Sequence, residues 1–503
     1  HHTLRIDRYH QNTWDKAAYK GHFYSDKAPG TAVLGAVVYA GFAAARAAPV
    51  LGGGISALEK NGAWNDAIAL GRSDTQYAPA AKGRKLGGCQ RTGLAGNVQV
   101  IPWGNRLVPP VRDWALSKYV TTIGVDGLLS ALFIAFFFWF LGFFSLRAAH
   151  RWILTGLYAV ATIALPYSTV FYSHQLVAGF LFMAFGLIWL RSRRKVGFWS
   201  LPAAGFLMGF SLFTEYTVAL MVIAIGIYAL WLLRRDGKGI GAMAIAGAVP
   251  VAALCAYNYA SFGNALDTGY AHDFCWSAAQ GAGYAGFTYP KLGPLFDLTF
   301  GSFRGLFYIS PFLLLAVPGA YVMWRRRLGL EAALCLVIAV SFIVAISAYW
   351  GWNGGRVDGP RYLVPIVPFL AFPVAFFLDA GRRSRLAMTL AALLGAWSVF
   401  VTWTLFAGGL LFPTSWLRDP LFQYSLPALG GNQIPPNAGF FLGLSGWVSL
   451  LPLAGLLLLI AVVPRRRATR RPAPGQDTAG SVHHPLGPSG SELALGEAPA
   501  TGR

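Results

Sequence analysis

Charged and aromatic residues are concentrated in one short stretch between two apolar runs, Tyr349 to Pro368, with the sequence Y-W-G-W-N-G-G-R-V-D-G-P-R-Y-L-V-P-I-V-P. Its Arg356, Asp358 and Arg361 lie just where the chain re-enters an apolar run. Ionisable groups at that depth of a bilayer are costly unless a charged partner meets them, so the stretch is a candidate ligand site. The alternative is an interfacial turn, with tryptophans in the aromatic belt and arginines reaching to lipid head groups.

Polar and aromatic residues also border the other apolar runs, and the topology described below assigns them to the same side of the membrane. They are Asp7, Asp15, Asp26, Lys27, His174, Glu215, Tyr270, His272, Asp273, Trp276, Tyr284 and Arg304. Arginine binds phosphate oxygens through two parallel hydrogen bonds, and aromatic faces pack on the apolar faces of sugar rings. The set therefore indicates a ligand with an anionic head, hydroxyl groups and an apolar tail.

Several other kinds of chemistry lack support in the sequence. No P-loop, G-x-S-x-G or H-E-x-x-H motif occurs, which argues against nucleotide-driven chemistry and the common hydrolases. The four cysteines show no C-x-x-C or Cys/His spacing, so no metal site is predicted, although a divalent cation stays open. Cys89 and Cys275 fall on one side of the membrane, and whether they form a disulfide is left open.

The composition is typical of a polytopic membrane protein. Of 503 residues, 55% are hydrophobic and only 12% are charged, whereas soluble domains carry about 25% charged residues. The net charge of +21 arises from arginines and lysines clustered between apolar runs, where topology and anionic lipids account for them. Membrane lipids are therefore expected partners, and nucleic acid is not.

Apolar runs of spanning length, about 20 residues, predict an all-α fold with about eleven transmembrane helices between residues 120 and 463. The runs lie near 120–146, 152–171, 175–190, 197–213, 215–233, 239–259, 305–324, 329–349, 363–379, 386–408 and 439–463. Every second loop carries a basic cluster, which by the positive-inside rule assigns those loops to the cytoplasm. Loops 260–304, 350–362 and 409–438 then face outward, and residues 464–503 form a basic, disordered cytoplasmic tail.

The same parity makes residues 1–119 an external first loop. If the apolar run 31–50 crossed the membrane, the next helix would start on the wrong side, so we expect a helix lying along the outer surface. Residues 52–110 are Gly-rich and polar, which indicates an external loop with little core of its own. Because the chain begins at His1 with a polar stretch, a further N-terminal helix is expected upstream.

Five segments resemble bacterial membrane glycosyltransferases of the C-type fold (GT-C), whose relatives include protein O-mannosyltransferases and the aminoarabinose transferase acting on lipid A. They are G-H-F-Y-S-D-K-A-P-G at 21–30, P-Y-S-T-V-F-Y-S-H at 166–174, G-F-S-L-F-T-E-Y-T-V-A-L at 209–220, S-F-R-G-L-F-Y-I-S-P at 302–311 and D-G-P-R-Y-L-V-P at 358–365. The resemblance covers most of the chain. It implies a multi-pass enzyme of the bacterial plasma membrane that transfers a sugar from a polyprenyl-phosphate carrier to a lipid, glycan or protein acceptor, without a cofactor.

The resemblance also implies roles for individual residues. Lys27 corresponds to the family's lysine–proline segment, and Arg361 to the arginine near the carrier phosphate, with Arg304 as a third predicted phosphate ligand. The family's general base lies directly after the first transmembrane helix, so it is expected upstream of residue 1, with Asp7 and Asp15 as the remaining candidates. The residues predicted to bind substrate are Glu215, His174, Tyr270, His272, Asp273, Trp352, Asp358 and Tyr362.

Each assignment has a structural alternative. Lys27 can be a solvated loop lysine, Arg304 can be a snorkelling residue at a helix start, and Asp7 or Asp15 can be a loop or N-cap carboxylate. His174 lies at a tight turn, where capping a helix is the simpler explanation. Glu215 lies between two apolar runs with almost no loop to solvate it, which favours a functional role.

Two functions fit these features. One is glycosyl transfer with inversion, in which a carboxylate takes the acceptor's proton while cations stabilise the departing phosphate. The other is a transporter or flippase of lipid-linked saccharides, but transporters tend to show internal repeats and polar residues near the bilayer centre. The charges here collect at one face, which favours an enzyme with an outward-facing site. Loop 260–304 is expected to cover that site, with these residues lining it: Tyr270, His272, Asp273, Tyr284 and Arg304.

Overall fold

The computed structural model of the protein describes residues 3–7, 10, 13, 15–59, 111–355, 357–409 and 417–462. Several positions with sequence predictions fall outside the described residues, namely Cys89, Arg356, most of 52–110, residues 410–416 of the third outward loop, and the tail 464–503. The chain divides into a unit His1–Ala454, which contains the elements that form the candidate site, and a unit Gly455–Arg503, of which residues 455–462 are described and helical.

The described N-terminal part forms a small antiparallel hairpin of β1 (Lys16–Tyr19) and β2 (His22–Ser25). Its two turn residues, Lys20 and Gly21, both have left-handed φ values, as the tight turns that suit hairpins require. Two helices follow, α1 (Gly30–Ala47) and α2 (Pro49–Glu59), which pack against each other. Asp26 and Lys27 therefore lie on a short connection between the hairpin and the first helix.

Helices account for almost all other regular structure in the described residues, as the sequence predicts. They are α3 (Val111–Thr122), α4 (Leu128–Leu141), α5 (Ala148–Val160), α6 (Ala164–Ser168), α7 (Ser173–Ser192), α8 (Ser200–Thr214), α9 (Ala219–Leu232), α10 (Gly237–Phe262), α11 (Ser277–Gln280), α12 (Leu292–Thr299), α13 (Leu306–Ile309), α14 (Ala316–Arg325), α15 (Gly329–Ser347), α16 (Val367–Gly381), α17 (Arg385–Gly408), α18 (Leu426–Gly430) and α19 (Leu451–Val462). Short 3-10 segments are Gly142–Phe144, Tyr216–Val218, Gly269–His272, Pro311–Leu315, Arg361–Ile366, Ala438–Leu442 and Gly446–Leu450, and π turns are Ile123–Gly127 and Leu421–Ser425.

Seven helices in the described part of the chain are long and apolar enough to cross a membrane, judged by length and composition. They are Gly30–Ala47, Ala115–Phe144, Ser173–Ser192, Gly237–Phe262, Gly329–Ser347, Arg361–Gly381 and Arg385–Gly408. The protein is thus an all-α, multi-pass membrane protein. Eleven spans are not confirmed, and α1, expected along the outer surface, has the length and composition of a span.

The remaining predicted spans are shorter or interrupted helices. Helix α8 has 15 residues, which at 1.5 Å per residue gives about 22 Å, less than the hydrocarbon core of about 30 Å. The run 152–171 divides between α5 and α6, because the Thr162 hydroxyl donates to the carbonyl of Tyr158 and accepts from the N–H of Ala164. The run 305–324 is divided at Pro311, which has no N–H to continue a helix.

The core centres on α7 and α16, which contact each other and are surrounded by α4, α5, α8, α14 and α15. Phenylalanine rings fill much of it, namely Phe133, Phe137, Phe140, Phe182, Phe185, Phe369 and Phe372. At the edge of this core α8 and α10 approach very closely. A Cβ atom at Gly205 would collide with the carbonyl of Met243, and one at Gly209 with the carbonyl of Gly247, so the crossing requires glycine at both α8 positions.

Candidate functional site

Two cations face a common space at one end of the helix bundle. Lys27 lies between β2 and α1, and Arg361 begins the 3-10 turn that leads into α16. Both act electrostatically on the phenol groups of Tyr172, which precedes α7, and Tyr349, which follows α15. Residues at the ends of separate elements therefore contribute to one site.

Lys27 is held between carboxylates and an aromatic ring. Its Nζ lies 2.8 Å from Asp26 Oδ2 and 3.3 Å from Asp15 Oδ1, and 4.9 Å from the centre of the Tyr270 ring. Burial lowers the pKa of Lys27, but Tyr270, Asp15 and Asp26 oppose this effect, and the net result is a pKa well above the usual value. Since 43% of the side chain remains exposed, the ammonium group is both charged and accessible.

The three carboxylates near Lys27 differ in accessibility. The Asp26 side chain is fully buried, and burial raises its pKa to about 7 against the opposing charge of Lys27. Burial also raises the pKa of Asp273 to about 6, although the N–H of Trp276 donates to Asp273 Oδ1 at 2.6 Å. Asp15, in contrast, exposes 57% of its side chain. Of these three carboxylates, Asp15 is the one best placed to take a proton from a bound molecule.

Arg361 carries a charge that the described residues do not neutralise. Its Nη2 donates to the Tyr362 hydroxyl at 3.0 Å, and its guanidinium lies over the rings of Tyr362 and Tyr172, at 4.9 and 5.7 Å from the ring centres. Some described arginines, such as Arg191 and Arg326, form ion pairs with carboxylates, but Arg361 forms none with a described residue, and its buried Nε has no hydrogen-bond partner among them. The guanidinium is thus oriented by aromatic groups and remains available to an anion.

The loop that leads to Arg361 is supported from behind by Arg304. This arginine is completely buried, and its guanidinium donates to the carbonyls of Gly355 and Val357. The adjacent Asp358 is also buried, its carbonyl accepts from the Tyr167 hydroxyl at 2.7 Å, and burial raises the pKa of its side chain well above the usual range. Arg304 and Asp358 therefore shape the loop in this structure. Arg304 was predicted to bind the donor phosphate and Asp358 to bind substrate, but their buried side chains are not placed to contact a ligand.

His174 and Glu215 face the same space from α7 and the end of α8. Glu215 Oε2 lies 3.5 Å from His174 Nδ1, and both side chains are buried. The imidazole is within electrostatic reach of Lys27 and Arg361, and its ring centre lies 5.5 Å from that of Tyr362 in an edge-to-face arrangement. The structure therefore brings these two predicted residues together with both cations.

Asp7, one of the two candidate bases, lies with the hairpin. Its carboxylate accepts from the N–H of Phe23 at 2.7 Å and lies 2.8 Å from His22 Nδ1. The hydrogen bond from Phe23 is the main reason that the pKa of Asp7 lies below its usual value. A carboxylate occupied in this way is a poor proton acceptor, so Asp7 fits the alternative of a loop carboxylate.

Loop 260–304 lies against the stretch that carries Arg361, as predicted. The N–H of Thr288 donates to the carbonyl of Ala348 at 3.0 Å, and the N–H of Trp350 donates to the carbonyl of Gly286 at 2.9 Å. These bonds join the loop to the end of α15. With Tyr270 over Lys27, the loop forms one wall of the site.

Three aromatic residues expected in the site lie elsewhere. His272 Nε2 is 2.7 Å from Asp267 Oδ2, and its ring stacks on Phe262 beside the hairpin. Tyr284 is 87% exposed, so its side chain is not packed into the wall. Trp352 packs on the hydrophobic core beside Phe303. These predictions were wrong because aromatic character alone does not show which face of a loop a side chain occupies.

Sequence reasoning did not identify three residues that shape the site or lie near it. The sequence assigns no role to Tyr172 or Tyr349, and only the fold brings them to the two cations. Asp126 is fully buried in the π turn of a spanning helix, where its carboxylate lies beside the backbone N–H of Tyr172. The sequence did contain a signal for Asp126, because a single carboxylate inside an apolar run usually has a functional role.

Cys275 is disulfide-bonded, Cys255 and Cys335 carry free thiols, and Cys89 lies outside the described residues. The described residues contain no group of three or more His, Cys, Asp or Glu side chains arranged to hold a metal ion. No protein-family model, curated protein sequence or solved structure matches the chain.

Proposed function

We propose that this protein is a membrane glycosyltransferase of the GT-C type that uses a polyprenyl-phosphate sugar as donor. The observation that carries the proposal is the Arg361 guanidinium, which forms no ion pair with a described residue and faces the same space as the Lys27 ammonium. Buried cations without a carboxylate partner are costly, so such a site favours an anionic ligand. Arginine's planar fork suits phosphate oxygens in particular.

The one site cation without an ion pair among the described residues favours a donor with a single phosphate. Lys27 already has two carboxylates, Asp15 and Asp26, within ion-pair distance. Arg361 forms no such pair among the described residues, so its single positive charge is the one available to the ligand. A phosphodiester that links one sugar to one prenol carries one negative charge, whereas a diphosphate would bring more charge than this site balances.

The chemistry requires a proton acceptor and stabilisation of the leaving phosphate. We assign the acceptor to Asp15, in the described part of the chain, because its exposed carboxylate lies 3.3 Å from Lys27 Nζ. The acceptor hydroxyl gives its proton to the carboxylate, its oxygen bonds to the anomeric carbon, and the bond from that carbon to the phosphate oxygen breaks. Attack opposite the leaving group inverts the anomeric centre, and Arg361 with Lys27 stabilises the charge on the released polyprenyl phosphate.

Support for the orientation of the site in the membrane comes from the end of the bundle opposite the site. There the ends of the helices carry arginine clusters together with exposed tryptophans, Trp152, Trp199, Trp231 and Trp324, at 61–69% exposure. Basic loops stay in the cytoplasm, and tryptophans favour the interface. Both features support a site that faces away from the cytoplasm of a bacterial plasma membrane.

The test uses purified protein in lipid nanodiscs with polyprenyl-phosphate sugars labelled in the sugar and, separately, in the prenyl chain. The proposal expects release of unsubstituted polyprenyl phosphate when an acceptor fraction from the cell envelope is added. A transporter of lipid-linked saccharides would instead move the intact donor across a proteoliposome bilayer without breaking its phosphate bond. Movement of intact donor without any cleavage would refute the enzyme.

A further inference from the structure

Glu215 joins the ends of two helices at the site. The backbone leaves α8 at this residue with an extended conformation, φ −154° and ψ 114°. Its Oε2 accepts from the Ser173 hydroxyl at 2.6 Å, at the start of α7, and its Oε1 accepts from the Thr217 hydroxyl at 3.0 Å. These bonds fix the carboxylate so that it faces His174.

His174 connects this carboxylate to the aromatic groups that orient Arg361. Its Nδ1 faces Glu215 Oε2 at 3.5 Å, and its ring meets Tyr362 edge to face. The Tyr362 hydroxyl accepts a hydrogen bond from Arg361 Nη2 at 3.0 Å. A continuous series of contacts therefore leads from the Glu215 carboxylate through an imidazole and a phenol to the guanidinium.

We infer that Glu215 and His174 form a positioning pair that holds Tyr362, and through it Arg361, in the orientation that binds the donor's phosphate. The inference rests on the proposed function and adds two residues that act without touching the phosphate. Glu215 also places a carboxylate near two cations, Lys27 and Arg361, that repel each other. The same two cations act on the His174 imidazole, and the carboxylate offsets their effect. Orientation of a charged fork matters because small displacements from a two-pronged geometry lose much of its binding advantage.

A purely structural role for Glu215 makes a different prediction. If the carboxylate only ties α7 to α8, its loss should lower the stability of the protein and leave phosphate binding by the folded fraction unchanged. Glu215→Gln separates the two roles, because its amide oxygen can still accept from one of the Ser173 and Thr217 hydroxyls and its NH2 can donate to the other, while the charge is removed.

The experiment measures the dissociation constant of citronellyl phosphate, a short prenyl phosphate, for the full-length protein in detergent, together with the unfolding temperature of each variant. Glu215→Gln should keep a near-normal unfolding temperature and bind about 10-fold more weakly, as expected for losing one interaction with a charged group. Glu331→Gln is the matched control. Glu331 is also buried in the bundle, and its carboxylate accepts from the hydroxyl of a tyrosine, Tyr228, at 3.3 Å. It lies in the first turn of α15, at the end of that helix far from the site. Its variant should bind the probe normally.

The pathway through Tyr362 is tested by a double-variant cycle. Tyr362→Phe should weaken binding by itself, and adding Glu215→Gln should then have little further effect, since the carboxylate acts through the phenol. An undiminished effect of Glu215→Gln in the Tyr362→Phe background would overturn the positioning role. Normal binding by folded Glu215→Gln, with binding lost in Arg361→Ala, would also overturn it while leaving the proposed function intact. Failure of the unaltered protein to bind any prenyl phosphate would overturn both.

Discussion

Removal of the Arg361 side chain is the most direct test of the site. Arg361→Ala deletes a guanidinium that makes one hydrogen bond, to the Tyr362 hydroxyl, and no ion pair with a described residue. No buried carboxylate is therefore left without its partner, and the cost to folding should be small, about 1 kcal/mol for the lost hydrogen bond. Expression and membrane insertion should remain close to those of the unaltered protein.

The loss of activity should be much larger. Two unit charges about 4 Å apart interact by about 4 kcal/mol at an effective dielectric constant of about 20, a value suited to protein sites that water can reach. Because Arg361 is only half-buried, about 2–4 kcal/mol of transition-state stabilisation is at stake. This corresponds to a decrease of roughly 30-fold to 1000-fold in kcat/KM for release of polyprenyl phosphate. Arg361→Lys should recover only part of the activity, since an ammonium keeps the charge but loses the two-pronged geometry.

The assay compares rates per folded, membrane-inserted molecule, with Arg385→Ala as the matched control. Arg385 is also the first residue of a candidate span, but it is exposed and belongs to the arginine cluster at the opposite end of the bundle. That variant should keep normal turnover. Near-normal transfer by well-inserted Arg361→Ala would refute the phosphate role. Full activity of Arg361→Lys together with poor insertion of Arg361→Ala would also refute it, because that result is expected if Arg361 only anchors the helix to lipid head groups.

Three further outcomes follow from the structure. Gly205→Leu should sharply reduce the yield of folded protein, because the new side chain meets the backbone of α10. Gly241→Leu, at a helix position with open space around it, should not reduce that yield. Detergent size-exclusion chromatography measures the yield of each variant. Burial raises the pKa of Asp26 to about 7, so its carboxyl becomes charged as the pH rises through that value. Affinity for a prenyl-phosphate sugar, a phosphodiester whose own charge is constant in this range, should therefore fall between about pH 6 and about pH 8, and Asp26→Asn should flatten that profile. Arg304→Met should lower the unfolding temperature, because it leaves two buried carbonyl groups without their donor at a cost of about 1–3 kcal/mol each.

The site residues that the sequence predicted best are those for which an apolar environment made a polar residue conspicuous. Glu215, His174 and Arg361 each interrupt or border an apolar run, and the structure brings all three together. Prediction failed where the partner of a polar group comes from a distant part of the chain. The buried guanidinium of Arg304 is satisfied by backbone carbonyls more than fifty residues away, and sequence spacing contains no signal for such a pairing.

The sequence predicted the all-helical fold better than it predicted the number and boundaries of the membrane-spanning helices. Hydropathy detects an apolar run but not an interruption within it, such as the Thr162 hydroxyl between α5 and α6 or Pro311 after α13. A helix that is broken or short can still be wholly apolar, because neighbouring helices and not lipid surround it. Counting runs therefore overestimates the number of helices long enough to cross the bilayer alone.

The packing of α7 against the segment Arg361–Gly381 has a consequence for biogenesis. These are the two most deeply buried candidate spans, yet the ribosome completes the first long before it begins the second. Until then α7 must reside in the bilayer without one of its packing partners, with Gln175 dependent on Tyr158 of α5 for hydrogen bonding. Insertion and folding are thus separate events in this protein, and a chain that stops before Arg361 presents membrane proteases with an inserted but unpacked bundle.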